Sequence, residues 1–435
     1  MLRNLFLILL TALCLSREGL LIGQDFFELP PISYSDSQPV NAIQELQADL
    51  VTGKRELVYD QRLGYLGSLL KSLGISPDSQ LLVYSKTSLQ LHRISPVTPR
   101  AIYFNDQVYV AFLPGSDRLE ISVADPGLGG VFYTLEQTAG MDPRQPPRVV
   151  RDPGNCLACH ANRRTEGVPG HLLRSVYTSP SGQPHYGMGT HLTTQDSPFQ
   201  KRWGGWYVTG THGSIRHLGN SLFEKQGSAT DLDAGANQAK LHQRVQSHRY
   251  LRDTSDLVAL MVLTHQAEMH NLITLVHFQT RQAIHQGQAM NRILDRPREF
   301  ISETTSKRID RVVDRLVRYL LFADEVPLES PVSGTSGYRK HFQAQGPRDK
   351  KGRSLRQLDL RKRTFSYPCS YLIYSDAFQN LPPLAKKKIY RRLWEVLRTP
   401  AKQDDFQQLS AEDRLAILEI LRDTIDDLPK YWHSD

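Results

Sequence analysis

The sequence predicts an α+β fold, with an N-terminal α/β region of short strands and a mainly α-helical C-terminal half. Three observations carry this. Between residues 81 and 135, short runs rich in β-branched and aromatic residues alternate with turn pairs. From residue 253 onward, apolar residues recur at helical spacing. Between these regions, 161–220 is rich in Gly, His and Trp and shows little periodicity.

Taken in order, the chain opens with Arg3 and an apolar run from Leu5 to Leu15. That run has the length of a signal-peptide core and is too short for a bilayer, which needs roughly 20 residues. With Ala12-Leu13-Cys14 as a small-x-small site, a signal peptide over 1–24 and a location outside the cytoplasm are expected. An uncleaved anchor and a buried helix are the other readings of the run. No later segment is apolar enough to span a membrane.

Residues 25–55, with Pro30-Pro31 and Ser33, Ser35 and Ser37, read as an irregular lead-in. A helix is expected over Arg62–Leu73, where Leu63, Leu66, Leu69, Leu70 and Leu73 share a face. Strands are expected at Leu81–Tyr84, Ala101–Phe104, Gln107–Phe112, Leu119–Val123 and Val131–Leu135, separated by Asn105-Asp106, Pro114-Gly115 and Pro126-Gly127. Together these make an α+β domain over 25–150. A central region follows over 151–252, in which Trp203–Gly210 reads as a strand between tight turns. The helical region is 253–435, with helices at Asp253–Gln286, Ile309–Phe322, Ala385–Leu397 and Ser410–Asp423. Ser410 is suited to capping the last of these.

The chain has 435 residues, 40% hydrophobic and 23% charged, with a formal net charge of +8. That is enough for sizeable cores and argues against wholesale disorder. Only four cysteines occur, Cys14, Cys156, Cys159 and Cys369, too few for a disulfide-stapled scaffold. Two of them share one pentapeptide, Cys156-Leu157-Ala158-Cys159-His160.

Cys-x-x-Cys-His is the c-type haem attachment signature. Two thiols at this spacing can each add to a haem vinyl group, and the following imidazole can ligate the iron. The pentapeptide arises by chance in about one in a thousand chains of this composition. An export signal agrees with it, because such haem is attached outside the cytoplasm. Zinc would require further thiol or imidazole partners, and the other mature cysteine, Cys369, is isolated in sequence. A thioredoxin-like dithiol would open a helix after a strand, whereas a Pro-rich stretch precedes this pair. One covalent haem c is therefore expected, held by Cys156, Cys159 and His160. The central region becomes a cytochrome c-type haem segment.

The motif and its surroundings resemble a known group. Cys156–His160, Val168-Pro169-Gly170-His171, the Arg202–Gly213 run, Arg216-His217-Leu218-Gly219-Asn220 and Tyr367–Tyr374 are similar to large exported single-haem proteins of planctomycete-type bacteria, described as cytochrome c domain proteins. The resemblance covers most of the mature chain. It implies haem binding and electron transfer and no defined substrate. The chain departs from small soluble cytochromes c in carrying its motif mid-chain, behind a large α+β region.

For a second iron ligand, Met269 and His265 stand out. They share an apolar stripe with Val258, Met261, Val262, Leu272 and Val276 and lie one turn apart. His270 and His277 fall on another face and are expected at the surface or boundary. His171, His185, His191, His212 and His217 are weaker candidates, each expected as a surface or structural histidine, and Met188, between Gly187 and Gly189, is a further candidate ligand.

Finally, 338–402 holds 17 Lys or Arg against four acids, while the rest of the chain is slightly acidic. This is either a solvated basic face or a docking face for an acidic redox partner. No nucleic-acid-binding motif is present. Electron transfer outside the cytoplasm through one haem is the expected function. A haem-dependent oxidoreductase of peroxidase or small-molecule oxidase type, and a haem module on a surface-binding structural protein, are the alternatives.

Overall fold

The computed structural model describes residues 25–137, 147–227, 231–241, 243, 245–400 and 405–433. The expected signal peptide and Cys14 lie outside the described residues.

The lead-in is less irregular than expected. Asn41 accepts from the N–H groups of Ile43 and Gln44 and starts helix α1, Ala42–Val51, whose Ile43, Leu46 and Leu50 are buried. The neighbouring Pro and Ser residues mask this signal in the sequence. The leucine-rich helix is α2, Leu66–Ser72.

The predicted strands form, with boundaries shifted by one or two residues: β1 Leu81–Val83, β2 Arg100–Phe104, β3 Val108–Phe112, β4 Arg118–Asp125 and β5 Gly129–Glu136. Val149–Arg151 adds β6. Arg174–Val176 (β7) and Thr190–Leu192 (β8) pair as a separate ribbon. Trp206–Tyr207 is β9, the short strand expected within Trp203–Gly210. The main sheet has seven antiparallel strands in the order β6-β5-β4-β3-β2-β1-β9. The motif-bearing central region thus shares a sheet with the first region.

Strand alternation splits the sheet into two unequal faces. Val110, Ile121, Val123, Val131, Tyr133 and Leu135 point to the inner face and are sealed in a core shared with α1 and α2. Each such aliphatic side chain contributes roughly 1.5–3 kcal/mol on burial. The outer face carries Ala111, Glu120, Ser122 and Thr134, which are only half-buried.

Four longer helices build the C-terminal half: α4 Leu257–Ile293, α5 Glu303–Leu320, α6 Pro383–Arg398 and α7 Ala411–Thr424. Asp256 caps α4, accepting from Ala259 N–H at 2.9 Å, and Ser410 and Asp413 form a reciprocal capping box on α7. Helix α4 is buried on every side along Leu257–Ala267, so it is a central spine and not the one-sided amphipathic helix its stripe suggests. Its polar residues find partners inside. Gln266 donates to the Asn105 carbonyl at 2.7 Å and accepts from Tyr371 Oη at 2.6 Å. His270 and His277, expected near the surface, are buried at 2% and 8% exposure. No helix among the described residues is long and apolar enough to cross a membrane.

Candidate haem-attachment site

The Cys–Cys–His turn grows directly out of the sheet. After β6, the Asp152 carboxylate accepts from the N–H groups of Gly154 and Cys156, both at 2.9 Å. This carboxylate-capped turn starts a one-turn helix, α3, Leu157–His160. The N–H of Cys159 bonds to the Cys156 carbonyl at 3.1 Å, and the N–H of His160 to the same carbonyl at 2.9 Å. One helical turn therefore brings both thiols and the imidazole to one locality. Cys159 is exposed, Cys156 is half-buried, and neither is in a disulfide with another described residue. Burial, reinforced by the Asp152 and Glu120 carboxylates, pushes the Cys156 thiol up to about 12. It stays protonated at neutral pH.

His160 is fixed through its inner nitrogen. Nδ1 lies 2.9 Å from the Gly170 carbonyl, and the Gly170 N–H bonds back to the His160 carbonyl at 2.8 Å. A carbonyl only accepts, so Nδ1 carries the proton and the Nε2 lone pair is left free. Nε2 has no hydrogen-bond partner among the described residues and is not sealed from solvent. Burial lowers the imidazole's basicity, so the ring is neutral. Its face rests on Phe132 of β5, with ring centroids 4.8 Å apart. This is the tautomer and orientation that a metal-ligating histidine needs.

Gly170 is held in turn. The segment crosses β5, where the Gly130 N–H bonds the Pro169 carbonyl at 2.8 Å. A Cβ on Gly170 would meet Asn271 Oδ1 at 2.2 Å. Asn271 of α4 accepts from the His171 N–H and donates to the His171 carbonyl. Its Nδ2 also donates to Glu268 at 3.1 Å. This support from a helix 100 residues away had no sequence signal.

The two expected outer ligands lie elsewhere. Both nitrogens of His265 are engaged at 2.7 Å, Nδ1 with Gln195 Oε1 and Nε2 with Ser370 Oγ. Its ring stacks between Tyr319 and Phe322. The α4 residues that meet the Pro169–His171 segment and the end of β5 are His270, Asn271 and Thr274. Met269 is fully buried and turned roughly 100–160° around the helix from them. Sequence periodicity placed both residues correctly in the core and could not tell which neighbour that core would supply.

The imidazole that does come near is His171. It touches Phe132, Tyr109 and His270 at centroid distances of 6.3, 4.4 and 5.9 Å. Both its nitrogens are buried without hydrogen-bond partners among the described residues, and burial holds it neutral. Of the remaining candidates, His185 bonds the Phe223 carbonyl, Met188 accepts from Gly227, and His212 and His217 pack on each other at 4.7 Å. His171, His212 and His217 are core residues.

The donor set fits a c-type haem: two free thiols one turn apart and a neutral imidazole with its outer nitrogen unbonded. Among the described residues, no three His, Cys, Asp or Glu side chains converge as a metal cage would need. The third described cysteine, Cys369, is fully buried, and burial pushes its thiol far up.

The basic 338–402 segment is largely neutralised by the fold. Lys350, Lys351, Arg353, Arg356 and Arg363 pair with Asp423, Glu419, Asp349, Asp106 and Asp413. Lys386, Lys388 and Arg392 pair with Asp427, Asp310 and Asp314. Arg339, Lys340, Arg361, Lys362 and Lys387 remain exposed without a carboxylate partner among the described residues.

Compared with protein-family profiles, curated proteins and solved structures, the chain matches none.

Proposed function

We propose that this protein binds one haem covalently at Cys156 and Cys159, with His160 as iron ligand, and transfers single electrons outside the cytoplasm. The observation that carries this reading is the His160 Nδ1 to Gly170 carbonyl bond at 2.9 Å, which leaves Nε2 unprotonated and free. His185 and His270 are anchored on carbonyls in the same way, and what distinguishes His160 is that its free nitrogen stands one helical turn from two thiols. When bound, a haem supplies a one-electron iron couple. The chain's own residues anchor it by two thiols, orient the imidazole through Gly170, and hold that carbonyl through Asn271. An acidic redox partner would meet Arg339, Lys340, Arg361, Lys362 and Lys387.

A second reading, a haem-dependent oxidoreductase, is favoured by one observation. His265 has both nitrogens engaged and Met269 is buried facing away from the Pro169–His171 segment, so neither expected outer ligand stands at the turn, and an iron without one would have room for a substrate.

The test is expression with c-type maturation machinery. Denatured protein should keep its haem on a gel and give a c-type haemochrome spectrum. Cys156→Ala with Cys159→Ala should abolish both. Haem-free wild type would refute the proposal. A low-spin native spectrum would support electron transfer, and a high-spin one the oxidoreductase.

A further inference from the structure

The outer face of the sheet is open next to the Cys–Cys–His turn. Strand register lines up two rows on this face. The first is Phe104, Tyr109, Ser122 and Phe132. It is roofed by His171 over Tyr109 and His160 over Phe132. The second row is Ile102, Ala111, Glu120 and Thr134, continued on β6 by Val150. Here the cover stops. Val150 is 41% exposed and the other four are half-buried, while the inner-face residues between them are sealed. Leu89, 63% exposed, stands at the rim, between the Ser88 and Gln90 side chains that bond Glu120.

The one charge in this strip is held in place. Glu120 meets Arg100 at 3.5 Å and accepts from Gln90 Nε2 at 3.0 Å. His160 rests on Phe132, and Thr134 is the next residue on the same face of β5, paired there with Val150 a few residues before the turn. The strip therefore starts where the attachment residues end.

We propose that this strip is the seat of the haem, which lies against Ile102, Ala111 and Thr134 with the Arg100–Glu120 pair beside it. The inference rests on the covalent-haem reading above. A porphyrin is a broad apolar plate with ionised carboxylates at one edge. A half-open strip in which Ile102, Ala111 and Val150 supply apolar contact, with an arginine at its border, suits both parts. An occupant tethered at Cys156 and Cys159 also needs no separate affinity to stay there.

The experiment uses haem-loaded full-length protein. Glu120→Gln keeps the shape and removes one negative charge from the proposed seat. The oxidised, more positive haem is then less stabilised, so the midpoint potential should shift upward. Ala111→Trp fills the strip and should alter the native Soret absorption and circular dichroism while the denatured protein keeps its covalent haem. Glu303→Gln, exposed at the start of α5 and away from the sheet, should match wild type in potential and spectra. Wild-type potential and spectra in both strip variants would overturn the seat. Should Ala111→Trp fail to fold, the potential of Glu120→Gln alone decides. Wild type without covalent haem would instead overturn the attachment reading.

Discussion

Asn271 grips the peptide of His171 at both ends, accepting its N–H at 2.8 Å and donating to its carbonyl at 2.9 Å. The preceding residue, Gly170, makes two bonds to His160 in the same way. A two-residue segment is thus pinned between the candidate iron ligand and the central helix. The orientation of His160 depends on a side chain 111 positions later in the sequence.

Asn271→Leu should therefore act on the site as well as on stability. It leaves two buried peptide groups unsatisfied, a cost of about 2–5 kcal/mol in chemical denaturation. In haem-loaded protein it should also shift the midpoint potential, since the Gly170 carbonyl no longer holds His160. Asn271→Asp keeps the acceptor and should fall between. A stability loss with an unchanged potential in both variants would reduce Asn271 to a packing residue.

His265→Ala and Met269→Ala should be stability mutants. The first strands Gln195 and Ser370, which His265 now bridges, and should cost about 2–4 kcal/mol. The second opens a cavity in a sealed site and should cost about 2–5 kcal/mol. Neither should change the spin state of bound haem. A low-spin to high-spin conversion in either variant would restore that residue as a ligand.

Stability should fall as the solution is acidified below the ordinary histidine range. Burial holds His217 and His265 down to about 3 and His270 down to about 4 in the fold, against 6.5 when unfolded. Below 6.5 the unfolded chain binds protons that the native chain refuses, so protonation favours unfolding. The loss should grow from pH 6.5 towards pH 4 in urea titrations. A flat profile over that window would contradict the burial of these rings.

Glu268 should work in the opposite sense. Burial raises its carboxyl to about 8, so the native state keeps a proton that the unfolded state releases above 4.5. Its contribution falls as pH rises from 4.5 to 8. Glu268→Gln should remove that slope and leave the protein as stable or more stable at pH 8. An unchanged slope would place the titrating group elsewhere.

Thiol labelling gives a direct check of accessibility. In folded haem-free protein, exposed Cys159 should alkylate first, half-buried Cys156 more slowly, and buried Cys369 only after unfolding. In haem-loaded protein, Cys156 and Cys159 should resist alkylation even in urea. Native labelling of Cys369, read by mass spectrometry, would contradict its burial.

Much of the molecule was legible from local pattern. Runs of β-branched and aromatic residues between turn pairs at Val108–Phe112 and Leu119–Val123 marked real strands, because such side chains pack well on a pleated sheet. Helical spacing marked α5, α6 and α7 for the equivalent reason. The proximity of Cys156, Cys159 and His160 was also readable, since they lie within one helical turn of each other and need no distant partner to meet.

What periodicity cannot carry is the identity of the neighbour across a packed interface. His265 and Met269 lie in a buried stripe, as their spacing implied, but α4 is surrounded, so burial alone does not say which wall each one faces. Tertiary packing turned His265 to Gln195 and Ser370, brought Asn271 to His171, and laid His160 on Phe132. Those pairings join residues far apart in sequence, and they are settled by how the sheet, the Pro169–His171 segment and the central helix pack together. Local order along the chain thus sets the thiols and imidazole of the Cys–Cys–His turn, and long-range packing sets what surrounds it, because only packing joins residues that are far apart in sequence.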